Sequence, residues 1–152
     1  TNGNVKIAVD AVVSASQPHH FLAVTKGGRS SIATTTGNKD CHVILRGGKE
    51  PNYSAEHVRD AVAQLTKAGV SPRLMVDCSH ANSGKDPLRQ PAVLQDLLQQ
   101  RTQGQTAIAG VMLESHLHDG RQGQEKPLQY GLSITDGCLG WDKTRSELCA
   151  IK

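Results

Sequence analysis

Aromatic residues are scarce in this chain: they make up 3% of its 152 residues, as one Trp, one Phe and two Tyr. Proteins that bind single-stranded nucleic acid stack bases on aromatic side chains. The 17 basic and 14 acidic residues are spread along the sequence without a basic run, for a net charge of +3. Small anions are therefore the expected partners, and nucleic acid is not.

Long apolar stretches are also missing. No segment approaches the roughly 18 apolar residues of a membrane span, and no charged start followed by an apolar core suggests export. The four cysteines show no zinc-finger spacing, so we interpret them as reduced, mostly buried thiols. These features favour a cytoplasmic protein that binds no membrane. Because the chain starts at Thr1 without a Met, we expect a piece of a longer chain.

The apolar pattern predicts alternating strands and helices after an opening helix and a hairpin. The opening helix covers about 5–16, capped by Asn2 or Asn4. The hairpin, with strands 20–25 and 31–35, alternates polar residues and should lie outside the core. The later pattern predicts strands over 41–46, 73–78 and 107–114, helices over 54–68 and 91–101, and a last helix with a capping box at 144–147.

This order is that of a parallel α/β fold, in which helices connect neighbouring strands. The pattern is compatible with an open doubly wound sheet or with part of a barrel. A complete (β/α)8 barrel takes about 250 residues, so three such units make at most about half of one.

Three apolar runs each end on a residue that can bind a divalent metal: His80, Glu114 and Asp136. Chemistry in parallel α/β folds is found at the carboxyl ends of strands. One imidazole and two carboxylates suit a first-row transition metal better than magnesium or a structural zinc. Each residue also has a simpler interpretation. His80 could be a hydrogen-bonded structural residue, Glu114 a solvated strand end, and Asp136 the cap of the following helix.

A second motif, Arg46-Gly47-Gly48-Lys49, follows a predicted strand. The planar guanidinium of Arg46 matches phosphate or carboxylate oxygens, and paired glycines let backbone N–H groups approach an anion. The alternative is a tight turn with solvated charges.

Five further residues near these motifs could take part in chemistry. His116 and His118 could be extra ligands, although they lie beyond the expected strand end. Lys85 and Arg89 could reach an anionic substrate, but a solvated loop explains them as well. Cys78 is expected to be a packing residue.

Taken together, four segments resemble the class I 3-deoxy-D-arabino-heptulosonate 7-phosphate (DAHP) synthases of the microbial, feedback-regulated type. The segments are 44–53, 77–83, 110–115 and 130–141. The resemblance implies an α/β fold that is the C-terminal part of a (β/α)8 barrel, about strands six to eight. All of 1–152 would then belong to one domain, with a hairpin inserted at about 20–36.

The resemblance also implies an activity. These enzymes condense phosphoenolpyruvate with erythrose 4-phosphate to give DAHP and phosphate, the first step of the shikimate pathway to aromatic amino acids. A divalent metal, Mn, Fe, Co or Zn, would polarise the aldehyde. The complete protein would be a dimer or tetramer.

Carried over by motif, the resemblance gives roles to individual residues. His80, Glu114 and Asp136 would be metal ligands, and His80 and Arg46 catalytic. Phosphoenolpyruvate would be bound by Arg46, Gly47, Gly48 and Lys49. The hairpin would contribute to a feedback site through Phe21 and Ala23.

The resemblance also shows which family residues have no counterpart in this sequence: the fourth metal ligand, which is a cysteine, a substrate-binding lysine, and the basic residues on the second and fourth barrel strands. We therefore expect the segment alone to be inactive. A non-catalytic barrel fragment and a metal-dependent hydrolase on a barrel scaffold stay open as alternatives.

Overall fold

The structure is a computed structural model that describes residues 3–151. It contains four α-helices, a short 3-10 turn and two β-sheets within that range. The helices are α1 (Val5–Ala15), α2 (Ala55–Lys67), α3 (Gln90–Thr102) and α4 (Trp141–Ala150), and the 3-10 turn is Pro87–Arg89. The strands are β1 (His20–Val24), β2 (Ser30–Thr34), β3 (Val43–Leu45), β4 (Leu74–Asp77) and β5 (Ile108–Met112).

Strands β3, β4 and β5 form a parallel sheet in that order. Helix α2 connects β3 to β4 and helix α3 connects β4 to β5, which confirms the predicted α/β rhythm. The strands are shorter than the apolar runs that predicted them, and β5 ends at Met112, two residues before Glu114.

The core lies on one face of this sheet, between the sheet and the helices. Alternate strand residues point toward it, and buried side chains of α2 and α3 pack against them. The core residues from these elements are Val43, Leu45, Leu74, Val76 and Ile108 from the strands and Val58, Ala61, Leu65, Val93, Leu94 and Leu97 from the helices.

The opposite face of the sheet is open. Ile44 on β3 is 41% exposed and Met112 on β5 is 39% exposed. Isolated exposed apolar residues are ordinary, but two on the same face of a parallel sheet are unusual because such sheets are normally covered on both sides.

The ends of α1 and α2 have ordinary capping residues. The Asn4 side chain accepts a hydrogen bond from the Ile7 backbone N–H, 3.2 Å, and caps α1; the alternative cap Asn2 lies outside the described residues. Ser54 caps α2, and Gly69 follows its end with φ +71°, the left-handed conformation that glycine adopts most easily. No helix within 3–151 is long and apolar enough to cross a membrane.

Strands β1 and β2 form an antiparallel hairpin that pairs with no other strand in the described residues. Leu22, Val24 and Ile32 are 84%, 73% and 72% exposed. The predicted hairpin is therefore present and lies outside the core.

The capping box predicted at 144–147 is wrong. Helix α4 begins at Trp141, and its N-cap is Gly140, whose backbone N–H donates to Asp119 Oδ1 at 2.7 Å. Thr144 is buried inside the helix, with its hydroxyl 2.6 Å from the Ser115 hydroxyl. A Ser/Thr-x-x-Glu pattern marks a helix start only where the Ser or Thr itself lies outside the helix as its N-cap. In α4 the extended residue at the start is Gly140.

Candidate functional site: a metal centre at the sheet edge

His80, Glu114 and Asp136 come together in the structure although they are far apart in sequence. One potential ligand atom of each lies within 4.8 Å of the other two. His80 Nε2 is 3.4 Å from Glu114 Oε1 and 3.9 Å from Asp136 Oδ2. The strand-end pattern therefore predicted the proximity of these three side chains.

His80 lies in a tight turn directly after β4. Its φ is +46°, in the left-handed region that residues with a Cβ rarely adopt, and such strain concentrates at functional sites. Its backbone C=O accepts from the Lys85 backbone N–H at 2.7 Å. This bond closes the turn over 80–85.

Asp77, the last residue of β4, orients the His80 ring. Its Oδ2 lies 2.7 Å from His80 Nδ1, and its Oδ1 accepts from the Ser79 backbone N–H at 2.8 Å. An ionised carboxylate only accepts hydrogen bonds, so Nδ1 carries the proton and Nε2 of the neutral ring has a free lone pair. That lone pair is on the nitrogen nearest Glu114 and Asp136, which is the arrangement of a metal-bound histidine.

Gln90, the first residue of α3, fixes the Glu114 backbone. Its Nε2 donates to the Glu114 C=O at 3.1 Å and its Oε1 accepts the Glu114 N–H at 2.8 Å. Gln90 is fully buried, so this pair of bonds fixes the position of the Glu114 backbone, two residues beyond the end of β5.

One oxygen of the Glu114 carboxylate lacks a partner. Its Oε2 is buried without a hydrogen bond. Burial raises the pKa of Glu114, and the nearby Asp136 and Asp77 raise it further, while His80 opposes the shift. A buried acceptor without a partner is destabilising, and a cation at this position would relieve both the missing bond and the repulsion.

Asp136 reaches the cluster from a loop. Its place at the end of an apolar run suggested a strand end, but the run 132–136 forms no strand and has one isolated bridge, Ser133 with Arg121. Ser133 Oγ accepts the Thr135 backbone N–H at 3.2 Å, and side chains that bind the local backbone compete with strand pairing. Asp136 is also no helix cap, because α4 begins five residues later.

The residues present fit a divalent metal. The cavity beside His80, Glu114 and Asp136 has a volume of about 20 Å³, and roughly 10–15 Å³ is enough for one water-sized species. One imidazole and two carboxylates form a donor set for a first-row transition metal.

The Arg46-Gly47-Gly48-Lys49 loop lies at the same edge of the sheet. Leu45 is paired with Val76, so Arg46 is one residue past the register and level with Asp77. Arg46 and Lys49 are exposed and Gly47 is buried with φ +74°. The loop thus offers two exposed cationic side chains on a backbone held by hydrogen bonds.

The other sequence candidates separate into two groups. Lys85 and Arg89 are both exposed, and Lys85 also borders the cavity. His116 and His118 are absent from the ligand cluster formed by the described residues. Cys78 is fully buried, and burial raises its pKa to about 12, with Asp77 adding to the shift.

The cysteine predictions hold in part. All four cysteines are free; Cys78 and Cys138 are buried, Cys41 is partly buried and Cys149 is exposed. On the hairpin, Phe21 is 51% exposed and Ala23 is partly buried. Their role in a feedback site stays a prediction.

The sequence model of the DAHP synthetase I family matches residues 2–148. The chain belongs to the DAHP synthetase I family. It is 54% identical over 146 residues to a phospho-2-dehydro-3-deoxyheptonate aldolase, Phe-sensitive, from Escherichia coli K12, covering 95% of this chain and 42% of the relative. It is 48% identical over 151 residues to a tyrosine-inhibited phospho-2-dehydro-3-deoxyheptonate aldolase from Schizosaccharomyces pombe, covering 95% of this chain and 41% of the relative.

A solved structure agrees with this membership. The phospho-2-dehydro-3-deoxyheptonate aldolase from Francisella tularensis SCHU S4 superposes with a TM-score of 0.91 at 50% identity, over 97% of this chain and 44% of that chain. The chain therefore spans about two fifths of the length of the curated family members that it matches.

Sequence reasoning missed the residues that hold the candidate ligands. Asp77 and Gln90 were not singled out, and neither was Asn82, which is 1% exposed. A signal existed for Asp77, because a carboxylate at the end of a buried strand needs a partner. No local signal identifies Gln90, whose partner is 24 residues away.

Proposed function

We propose that the protein to which these residues belong is a metal-dependent DAHP synthase. It would condense phosphoenolpyruvate with erythrose 4-phosphate, releasing phosphate. Residues 1–152 would form the C-terminal part of one (β/α)8 barrel domain, about strands six to eight, with the hairpin as an insertion. The convergence of His80, Glu114 and Asp136 in a member of this family is the observation that carries the proposal.

The open face of the sheet supports the barrel assignment. Ile44 and Met112 are exposed on the face opposite the helices, and in a barrel that face lies inside. The described strands β3 and β5 are both edges of the sheet, and closure with further strands would pair them. A hydrolase has less support, because its metal sites usually contain several histidines.

His80, Glu114 and Asp136 would hold the metal ion, with Asp77 keeping the proton on His80 Nδ1. When bound, the metal would act as a Lewis acid toward a substrate carbonyl. Mn, Fe, Co and Zn all suit the donor set. The buried, unpartnered Oε2 of Glu114 supports this assignment.

Arg46 would bind the phosphate or carboxylate of phosphoenolpyruvate through its planar guanidinium, with Lys49 as a second positive charge. Gly47 and Gly48 would shape the binding loop, because their backbone N–H groups already donate to Asn52 Oδ1 and to the Glu50 C=O. Holding phosphoenolpyruvate beside the aldehyde would accelerate the condensation by orientation.

The proposal extends to location and assembly. Four free thiols are compatible with a reducing compartment, so we propose a cytoplasmic protein. We propose that the complete protein is a dimer or tetramer.

The test is phosphate release from phosphoenolpyruvate, dependent on erythrose 4-phosphate and Mn²⁺. It is measured with the protein at its full encoded length and with the 152-residue chain alone. We expect turnover by the first and none by the second. An inactive full-length protein with every divalent metal tried would contradict the synthase assignment, and turnover by the short chain would contradict the need for further strands.

A further inference from the structure

Asn82 lies buried between the ends of β3 and β4. Its side-chain Nδ2 donates to the Leu45 C=O at 3.1 Å and to the Asp77 C=O at 2.8 Å. Leu45 directly precedes Arg46, and Asp77 holds the His80 ring. A single amide therefore bonds the ends of β3 and β4, from which the Arg46-Gly47-Gly48-Lys49 loop and the turn containing His80 begin.

Asn52 extends this connection into the loop. Its backbone N–H donates to Asn82 Oδ1 at 2.8 Å, and its own Oδ1 accepts from the Gly47 N–H at 2.7 Å. Asn52 is 8% exposed. Hydrogen bonds therefore run without a break from the end of β4 through Asn82 and Asn52 to the residue after Arg46.

Close packing holds the same two segments together. Gly47 has φ +74°, and a Cβ there would lie 2.7 Å from the Ala81 Cβ and 3.1 Å from Asn82 Oδ1. Only glycine fits this position without displacement. The loop containing Arg46 thus rests on the turn containing His80, and the two asparagines fix how it rests there.

We propose that Asn52 and Asn82 are positioning residues that set the distance between Arg46 and the His80 metal ligand. The inference rests on the proposed function, because it assumes that Arg46 binds phosphoenolpyruvate. Neither asparagine is among the residues of the ligand cluster. The Asn82 amide donates twice and accepts once, and a buried amide bonded in this way holds a single arrangement, which is what a site with a cation beside an anion-binding group requires.

The two residues should have separable effects. The Asn52 side chain bonds the loop containing Arg46, through the Gly47 N–H, and does not bond the turn containing His80. Asn82 bonds both segments through its side chain. Asn52→Ala should therefore weaken phosphoenolpyruvate binding alone, and Asn82→Ala should weaken phosphoenolpyruvate and metal binding together.

The experiment uses the protein at its full encoded length, with the Kd for Mn²⁺, the Kd and KM for phosphoenolpyruvate, and kcat measured for each variant. Loss of one buried hydrogen bond predicts a KM increase of about three- to tenfold for Asn52→Ala, with kcat and the Mn²⁺ Kd unchanged. The matched control is Asn38→Ala, which removes a similar bond, accepted from the Asp40 backbone N–H at 2.9 Å, in an exposed turn. Asn38→Ala should leave the Kd for Mn²⁺, the Kd and KM for phosphoenolpyruvate, and kcat unchanged.

A general loss of stability would not separate these constants. An Asn52→Ala protein that folds and keeps the original KM and Kd for phosphoenolpyruvate would overturn the inference, and so would one that loses Mn²⁺ affinity equally. If Asn52→Ala does not fold, Asn52→Ser is judged by the same criteria.

Failure of the proposed function is distinguishable. If the unaltered protein binds phosphoenolpyruvate without turning over, the synthase assignment fails and the Kd values still decide the inference. If it does not bind phosphoenolpyruvate at all, both are wrong.

Discussion

Asp77→Asn is the substitution that most sharply tests how the candidate metal site is built. Asp77 uses both carboxylate oxygens, one for the Ser79 N–H at 2.8 Å and one for His80 Nδ1 at 2.7 Å. Asparagine has nearly the same shape but only one oxygen. If that oxygen remains with Ser79, the amide NH₂ faces Nδ1 and favours the tautomer with the proton on Nε2, which blocks the lone pair facing Glu114.

The opposite orientation of the amide also disrupts the turn. The NH₂ group would then meet the Ser79 N–H, two donors facing each other at a buried position. Either arrangement weakens the site. Removal of a carboxylate partner from a metal-bound histidine typically lowers metal affinity by about 10- to 100-fold, which corresponds to about 1.4–2.8 kcal/mol.

The assay is a calorimetric titration of the metal-free protein with Mn²⁺ and Co²⁺. The control is Asp96→Asn, which removes a carboxylate that accepts from Gln100 Nε2 at 2.6 Å on α3, outside the ligand cluster. We expect weaker binding for Asp77→Asn only. Metal affinity within about threefold of the unaltered protein, with the fold intact, would refute the role of Asp77 in setting the tautomer.

Three more predictions follow from particular residues. Burial raises the pKa of Glu114 above its usual 4.5, so the ionised carboxylate destabilises the metal-free protein above the raised pKa, and the protonated form below pH 4.5 does not. Glu114→Gln should therefore raise the Tm at about pH 8 and leave it unchanged at about pH 4. An equal change in Tm at both pH values would contradict this prediction. Gly47→Ala should destabilise the fold more than Gly28→Ala, since both glycines have φ near +75° but a Cβ on Gly28 has no neighbour within 4 Å. The difference between the two variants in the free energy of unfolding by urea, about 1–3 kcal/mol for overpacking, measures the cost of the contact between a Cβ on Gly47 and Ala81. Equal losses would argue against this contact. Exposed Cys149 should react with a thiol reagent at about pH 8 far faster than Cys78, whose pKa is raised to about 12. Mass spectrometry of the labelled peptides measures the two rates, and faster labelling of Cys78 would contradict the prediction.

The α/β alternation could be predicted because it depends on local patterns. The stripe of apolar residues on α2 and the buried runs of β3 and β4 repeat with the periods of helix and strand. Strand ends were less predictable: β5 ends at Met112, level with Asp77 at the end of β4, and the Glu114 backbone beyond it bonds Gln90, which is distant in sequence.

The candidate site was predicted in position more than in construction. His80 and Glu114 were found because parallel strands direct their carboxyl ends to one edge. Asp136 was included for a reason that the structure contradicts, because it comes from a loop. Asp77 had a signal in the sequence, a carboxylate at the end of a buried strand, but its bond to His80 depends on a left-handed backbone at that residue. The roles of Asn52 and Asn82 depend on contacts 30 and 37 residues apart, which no local pattern encodes.

We propose that this chain supplies the His80, Glu114 and Asp136 metal ligands and the Arg46 loop of a DAHP synthase. A chimera tests it most directly: this chain replaces the matching 146-residue segment of the Phe-sensitive E. coli relative, to which it is 54% identical. The measurement is the metal-dependent rate of phosphate release from phosphoenolpyruvate and erythrose 4-phosphate. We predict that the chimera turns over and that His80→Ala abolishes both turnover and Mn²⁺ binding. A folded chimera that is inactive, or one whose activity and Mn²⁺ binding survive His80→Ala, would contradict the account.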